Sequence, residues 1–386
     1  MTNPFKIPLL LSVTLLTACS GNDEPKPEVK TLDRTVLVYM AADNTLGTAQ
    51  FDSADIREMH QAALAGDING GRLLLYHKGP NTAPTLSEIK EDGTFAVIRD
   101  YTGDGLTSVH ADRMKKVIAD ARAVDSDNDF GIVLWSHADG WLNSGIDETG
   151  RAANGKLRNF GIEDNKRMKL STLANVLKAS GPIDFIYFDC CYMGAAEVVY
   201  ELRDVTPTIV ASATELPANG MPYDQNIKAF FATEGPNLIQ AAQNTYNHYN
   251  AMTNAVSRSC TMAVYNTAGM ADLATATASV YAAADKLWPA DYRPQHFQTD
   301  SDPRYDLADY VKRLAEDIDP ALYTTWRQSF DKVVVYEAHT PKMWADFSLE
   351  RCNGMSTYIP DTADKFDRKG YDTTAWYQDV ASKLRK

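Results

Sequence analysis

Two apolar runs in this 386-residue chain stop at side chains capable of covalent chemistry. Gly131-Ile-Val-Leu-Trp-Ser ends at His137, and Ile183-Asp-Phe-Ile-Tyr-Phe-Asp189 runs into the doublet Cys190-Cys191. Both read as buried strands. The carboxyl ends of strands in an open α/β sheet are where ligands and catalytic groups gather, because the loops there stand on a rigid platform. A histidine and a cysteine leaving two such strands imply a thiol nucleophile and an imidazole that takes its proton and later returns it to a leaving amine. Neighbouring side chains on an extended segment face opposite ways, so only one of Cys190 and Cys191 can face such a site. The other six histidines (His60, His77, His110, His248, His296, His339) stand outside any comparable strand-end motif.

The elements that must position these groups follow from periodicity. Short apolar runs at 35–40, 71–76, 130–135, 183–188 and 208–212 alternate with amphipathic stretches at 48–65, 110–123, 171–179 and 195–203, which predicts a mostly parallel sheet flanked by helices. In the stretch 110–123, Met114, Val117, Ile118 and Ala121 form an apolar stripe, and Arg113, Lys115, Lys116 and Asp120 fall on the polar face. A catalytic unit over 33–250 closes with a helix at 236–250. A smaller C-terminal α/β part, 251–386, offers strands at 260–265, 332–336 and 355–359, with helices at 268–287 and 306–316.

These landmarks resemble the clostripain-like cysteine peptidases, in the clan that also holds caspases, legumains and gingipains. The resemblance rests on the strand ending Trp-Ser-His137 and on Asp189-Cys-Cys-Tyr-Met-Gly194-x-x-Glu197. It extends to Val36-Leu-Val-Tyr-Met-Ala-Ala-Asp43-Asn44, to Ala211-Ser-Ala-Thr-Glu-Leu-Pro-Ala-Asn-Gly220-Met-Pro-Tyr223, and more weakly to 305–309 and 352–360. It implies a caspase-like α/β/α sandwich and a His137/Cys191 dyad, with Cys190 in the place of a small residue pointing into the fold. It also implies an oxyanion hole made by the backbone N–H groups of Cys191 and of a residue just past His137. There the usual glycine is replaced by Ala138, followed by Asp139; if that position needs a left-handed backbone, the methyl costs roughly 1 kcal/mol, and at negative φ almost nothing.

By the same resemblance Asp189 selects Arg or Lys before the scissile bond, since a buried carboxylate facing a guanidinium makes a charge-assisted contact. The bland alternative is an aspartate capping the turn that follows it. The resemblance further implies self-cleavage in the Gly-rich, basic loop 147–158, between Arg151 and Ala152; a solvated loop of that composition is also what any α/β fold places there. Rival readings are a silent peptidase-like surface protein that binds peptides, and a peptidase of the same clan with non-basic specificity.

The first residues place the protein outside the cytosol. Lys6 precedes an apolar run of signal-peptide size at 7–16, too short for a membrane span. Leu16-Thr-Ala-Cys19 resembles a bacterial lipobox, implying a signal peptide over 1–18, a lipid on Cys19, a flexible polar tether over 19–32 and a place in the cell envelope, on the outer membrane or cell surface. A formal net charge of −13 argues against nucleic acid as a partner. Of five cysteines only Cys260 and Cys352 remain as a pair, and they are expected to be unpaired. No nucleotide loop and no His-Glu-x-x-His is present, so no cofactor is required. The acids at 125–129 leave calcium open without naming ligands.

Overall fold

The computed structural model describes residues 32–125, 129–141, 146–147, 160–286, 292–297, 304–359 and 371–384. The leader, Cys19, nearly all of the tether, the Arg151–Ala152 bond and residues 126–128 lie outside the described residues.

Nine strands form one sheet: β1 (Arg34–Ala41), β2 (Arg72–Lys78), β3 (Thr85–Ile89), β4 (Phe95–Asp100), β5 (Asp129–Trp135), β6 (Phe185–Asp189), β7 (Thr208–Ala211), β8 (Thr261–Asn266) and β9 (Val334–His339). Their spatial order is β9-β8-β7-β6-β5-β1-β2-β3-β4. The middle five are parallel, and the outer pairs on both sides are antiparallel. The chain runs from β1 to β2 on one side and then returns to β5 on the other. The β1/β5 boundary is therefore the switch point, the place where such sheets open a crevice for ligands.

Why the central strands are apolar throughout is clear from β1. All eight residues are buried, with Val36, Val38 and Met40 in one core and Leu37, Tyr39 and Ala41 in the other. The first core is covered by α2 (Phe51–Leu64), α6 (Tyr223–Phe230) and α7 (Leu238–Asn250). The second is covered by α3 (Ala111–Arg122), α4 (Leu170–Ala179), α5 (Ala196–Glu201) and, from the C-terminal part, α8 (Met270–Ala283), α9 (Leu307–Ile318) and α10 (Pro320–Val333). Each fully buried Val, Leu or Ile contributes about 1.5–3 kcal/mol, so a strand buried on both faces anchors both layers at once. Strands β8 and β9 continue the sheet past residue 250, whereas Ser356–Tyr358 lies outside it, paired with Arg304–Asp306 and bridged through Ser356 to Ala195. Among the described residues no helix is long and apolar enough to cross a membrane.

The structure departs from the periodicity reading in several places: helix α6 and a small sheet of 146–147, 160–163 and 166–168 carry no run that announces them, the strand expected at 332–336 starts at Val334, and three further differences bear on packing. Strands β3 and β4 form an added hairpin with an exposed outer strand, where Val97 is 66% exposed, and so lack the apolar run that marks a buried strand. Helix α10 begins at Asp319-Pro320, a capping aspartate followed by proline in the first turn. Arg113 is buried, not on the solvent face; it donates to Asp104, Tyr101 O and Leu106 O and lies over the Tyr101 ring.

Gly131 on β5 pairs in register with Phe185 on β6, and a Cβ there would stand 2.2 Å from the Phe185 ring. That ring stacks on Phe230 of α6 at 5.4 Å. Gly131→Ala is expected to lower stability by about 1–3 kcal/mol through overpacking, measured as a lower denaturation midpoint at unchanged slope. An unchanged midpoint contradicts the tight β5/β6 packing.

Candidate active site

The register of β5 against β6 ends with Trp135 opposite Asp189, and β1 against β5 with Met40 opposite Trp135. His137 and Cys191 each stand two residues beyond a paired position, on adjacent strands. The strand ends are tied by side chains that replace lost ladder bonds. Ser136 Oγ donates to Ala41 O at 2.8 Å. Asn44 Nδ2 donates to Ala41 O (2.9 Å), Ser136 Oγ (3.3 Å) and Ile162 O (3.2 Å), and its Oδ1 caps α1 (Thr45–Thr48) by accepting from Leu46 N. The next residue, Thr45, holds His137 Nε2 with its Oγ1 at 2.8 Å. Burial, with Arg167 nearby, lowers the His137 pKa below the ordinary imidazole value, favouring the neutral base.

The cysteine doublet divides as alternation requires. Cys190 is 2% exposed and its Sγ donates to Leu134 O at 2.9 Å, inside the fold. Cys191 is half-buried and lines the cleft; its Sγ accepts from Leu216 N at 3.4 Å and points its proton toward Leu216 O at 3.6 Å. Burial pushes the Cys191 thiol up to about 12, and the acids Glu215, Asp139 and Asp189 add to this. Thiol and imidazole therefore both rest in the neutral form.

After Cys191 the chain turns sharply through Tyr192, held in the left-handed region at φ 61, with Tyr192 N bonded to Thr214 O and Gly194 N to Ser212 O. A non-glycine residue there costs of order 1–3 kcal/mol, which the surroundings must offset. Arg304, 2% exposed, lies 3.9 Å over the Tyr192 ring and donates to Asp139 O at 3.1 Å, so one buried guanidinium braces the loops after both candidate residues. Ala138 is not left-handed; it forms a bridge to Phe160 and packs in the core, so its methyl carries no backbone strain. The Asp139 carboxylate lies 3.9 Å from Arg304, and neither Ala138 nor Asp139 lines the cleft.

Asp189 does line it. Its oxygens accept from Met221 N and Tyr223 OH, both at 3.1 Å, and so face the 220–223 segment and not the turn following Asp189. Gly220, at φ 65, leaves room for the carboxylate, since a Cβ there would stand 2.7 Å from Oδ2. Close by lies a second buried acid, Asp55, whose Oδ2 accepts from Trp135 Nε1 at 2.7 Å. Burial raises the pKa of both carboxyls; the charge of Asp189 adds to this for Asp55, and that of Glu58 for Asp189. Among the described residues Asp189 has no Lys or Arg partner. The cleft, about 240 Å³, is walled by Leu46, Leu216 and Trp344. Trp344 and Ala345, both left-handed (φ 53 and 58), form the tip of the hairpin Lys342–Met343/Phe347–Ser348.

Thr45, Arg304 and Trp344 were not among the residues expected from sequence. Thr45 follows directly on the Asp43-Asn44 landmark, which was a usable signal; Arg304 and Trp344 reach the site only through tertiary folding.

The model of the clostripain family matches residues 38–383. A secreted cysteine protease from Bacteroides thetaiotaomicron, solved in complex with an irreversible peptide inhibitor, is 27% identical, covering 90% of this chain and 98% of that one at a TM-score of 0.75. An inactive zymogen protease from Parabacteroides distasonis is 28% identical over 91% and 98% of the two chains, also at 0.75. A second secreted cysteine protease from Bacteroides thetaiotaomicron, iotapain, shares the fold at 20% identity and a TM-score of 0.77, over 91% and 99%. No curated protein matches this chain in sequence.

Among the four described cysteines only Cys191 is not buried. Iodoacetamide on the native protein is expected to label Cys191 and spare Cys190, Cys260 and Cys352, at a rate still rising above pH 9, as peptide mapping reads. A rate already level at pH 7 means an ionised thiolate and contradicts the neutral resting pair.

Proposed function

This chain belongs to the clostripain family and is a cysteine endopeptidase; we propose that Cys191 is its nucleophile and His137 its general base and acid. The observation carrying this reading is the common cleft: His137 and the half-buried Cys191 line it from adjacent strand ends, and Cys190, which also borders it, is buried with its sulfur bonded inward to Leu134 O. Neutral His137 takes the thiol proton as sulfur attacks the scissile carbonyl carbon, and the carbonyl π electrons move to oxygen. The Cys191 N–H and a donor just past His137 stabilise that oxygen, an effect typically worth 10²–10³ in rate per donor. Collapse breaks the C–N bond while His137 gives its proton to the leaving amine. Water then cleaves the thioester, with His137 as base again. Thr45, on Nε2, holds the ring so that Nδ1 is the working nitrogen.

Asp189 is the proposed selector of Arg or Lys before the cut. A buried carboxylate on the cleft with no cation of its own is the complement that a guanidinium or ammonium group supplies. The unstrained Ala138 backbone supports an active site over a silent one. Self-cleavage at Arg151–Ala152 is proposed from the sequence of that loop and from the relative described as a zymogen. Export, with a lipid on Cys19 holding the protein to the cell envelope, is proposed from the leader; two of the relatives are described as secreted.

Fluorogenic peptides ending in Arg, Lys, Asp, Asn or Leu test the reading. Expected are cleavage after Arg and Lys, none in Cys191→Ala, and a loss of about 10- to 100-fold for Arg in Asp189→Asn, the worth of a charged hydrogen bond. Because Asp189 must ionise to pair and its pKa is raised, the preference for Arg over neutral citrulline should grow as pH rises above the usual carboxylate value of about 3.9. Cleavage after another residue discards Asp189 as selector; equal activity in Cys191→Ala discards the nucleophile.

A further inference from the structure

At the outer edge of the sheet, three side chains of metal-binding type meet. Glu337 and His339 are two residues apart on the edge strand β9 and so share a face, and Cys352 crosses that face on the segment leading to Ser356–Tyr358. One donor atom from each lies within 4.8 Å of the other two. Gly354 lets the segment lie this close: it is left-handed at φ 87, and a Cβ there would stand 2.8 Å from Glu337 Cβ.

Few other contacts among the described residues engage these three side chains. His339 Nδ1 lies 3.1 Å from Thr340 O, which leaves Nε2 as the free donor and fixes the ring, as a backbone carbonyl commonly does for a metal-bound histidine. Among the described residues the Glu337 carboxylate has no hydrogen-bond or ion-pair partner. Cys352, 9% exposed, is contacted at sulfur by the backbone N–H of Gly354; burial, with Asp306 and Glu337 nearby, pushes its thiol pKa up, so the sulfur is protonated until an ion takes the place of the proton. The nearest guanidinium, Arg327, is engaged by Asn353 Oδ1 at 2.8 Å and Asp331 at 2.7 Å.

We propose that Glu337, His339 and Cys352 form a binding site for zinc or a similarly borderline-soft divalent ion, separate from the cleft. A sulfur and an imidazole nitrogen are wrong for calcium, which takes six to eight oxygens. They suit zinc, with bonds of about 2.3 Å to sulfur and about 2.0–2.2 Å to nitrogen and oxygen, and water in the fourth place. Ligands around such an ion stand closer together than 4.8 Å, so the exposed Glu337 and half-buried His339 rotate inward on binding, and Cys352 releases its thiol proton to solvent. The ion ties the edge strand to the 352–356 segment. That segment supports the cysteine loop: Tyr265 OH donates to Gly354 O, and Ser356 N donates to Gly194 O at 2.9 Å, three residues after Cys191.

The full chain carrying Cys191→Ala, titrated with cobalt, is the test, since cobalt reports thiolate ligation by near-ultraviolet charge-transfer absorption. Expected are one cobalt per chain with that band, its displacement by zinc, and a thermal midpoint raised by zinc. Cys352→Ser on the same background should remove the band and the shift. His339→Gln, on an exposed edge strand, does the same job if Cys352→Ser does not fold. Absence of the band, or its survival in either variant, overturns the proposal.

Discussion

The active site depends on the parallel register of β5 against β6. With Trp135 opposite Asp189, the two residues that follow each strand bring His137 and Cys191 to equivalent heights on neighbouring strands. A slip of one residue would set Cys190 at that height and turn the Cys191 sulfur into the core, because side-chain direction inverts at every step. The register is fixed from both sides by packing: Gly131 leaves the space that Phe185 fills, and Phe185 in turn stacks on Phe230. Chemistry at the strand ends is thus set by shape complementarity several residues away, within the strands themselves.

Holding the strand ends is a second task, because ladder hydrogen bonds stop where the site begins. Asn44 and Ser136 replace them between β1 and β5, and Thr45 extends the arrangement to the imidazole. The left-handed Tyr192 turn is sustained by backbone bonds to Thr214 and Ser212 and by Arg304, which reaches from the C-terminal part to the loops after both His137 and Cys191. A buried guanidinium with such partners is costly to disturb, since removing one partner leaves an uncompensated charge. The C-terminal part thereby takes a share in the site without supplying its reactive atoms.

The central strands, the helices of both layers other than α6 and α10, and the placing of His137 and Cys191 at strand ends were legible in the sequence. Burial on both faces writes itself as continuous apolar runs, as in β1 and β6. The β3/β4 hairpin was not legible, because an edge strand with one wet face carries polar residues and no run. Arg113 misled because a charged residue on a helix reads as solvated unless its burying partners, here Asp104 and two carbonyls, are known. The acid pair Asp189/Asp55 joins residues 134 positions apart, the second on α2, and no local pattern announces such a pair. Trp344 enters the cleft by a hairpin whose residues Trp and Ala break the turn preference for Asn and Gly at left-handed positions, so its sequence gave no turn signal.

The central claim is that Cys191, with His137, attacks a carbonyl presented in the cleft beside Asp189. The most direct measurement is the mass of the protein after incubation with an irreversible peptidyl ketone ending in Lys, followed by mapping of the modified residue. Expected is one adduct per chain, on Cys191, formed far more slowly in His137→Ala and outcompeted by the matching Lys peptide. An adduct on Cys190, or equal labelling of His137→Ala and the unaltered protein, would contradict it.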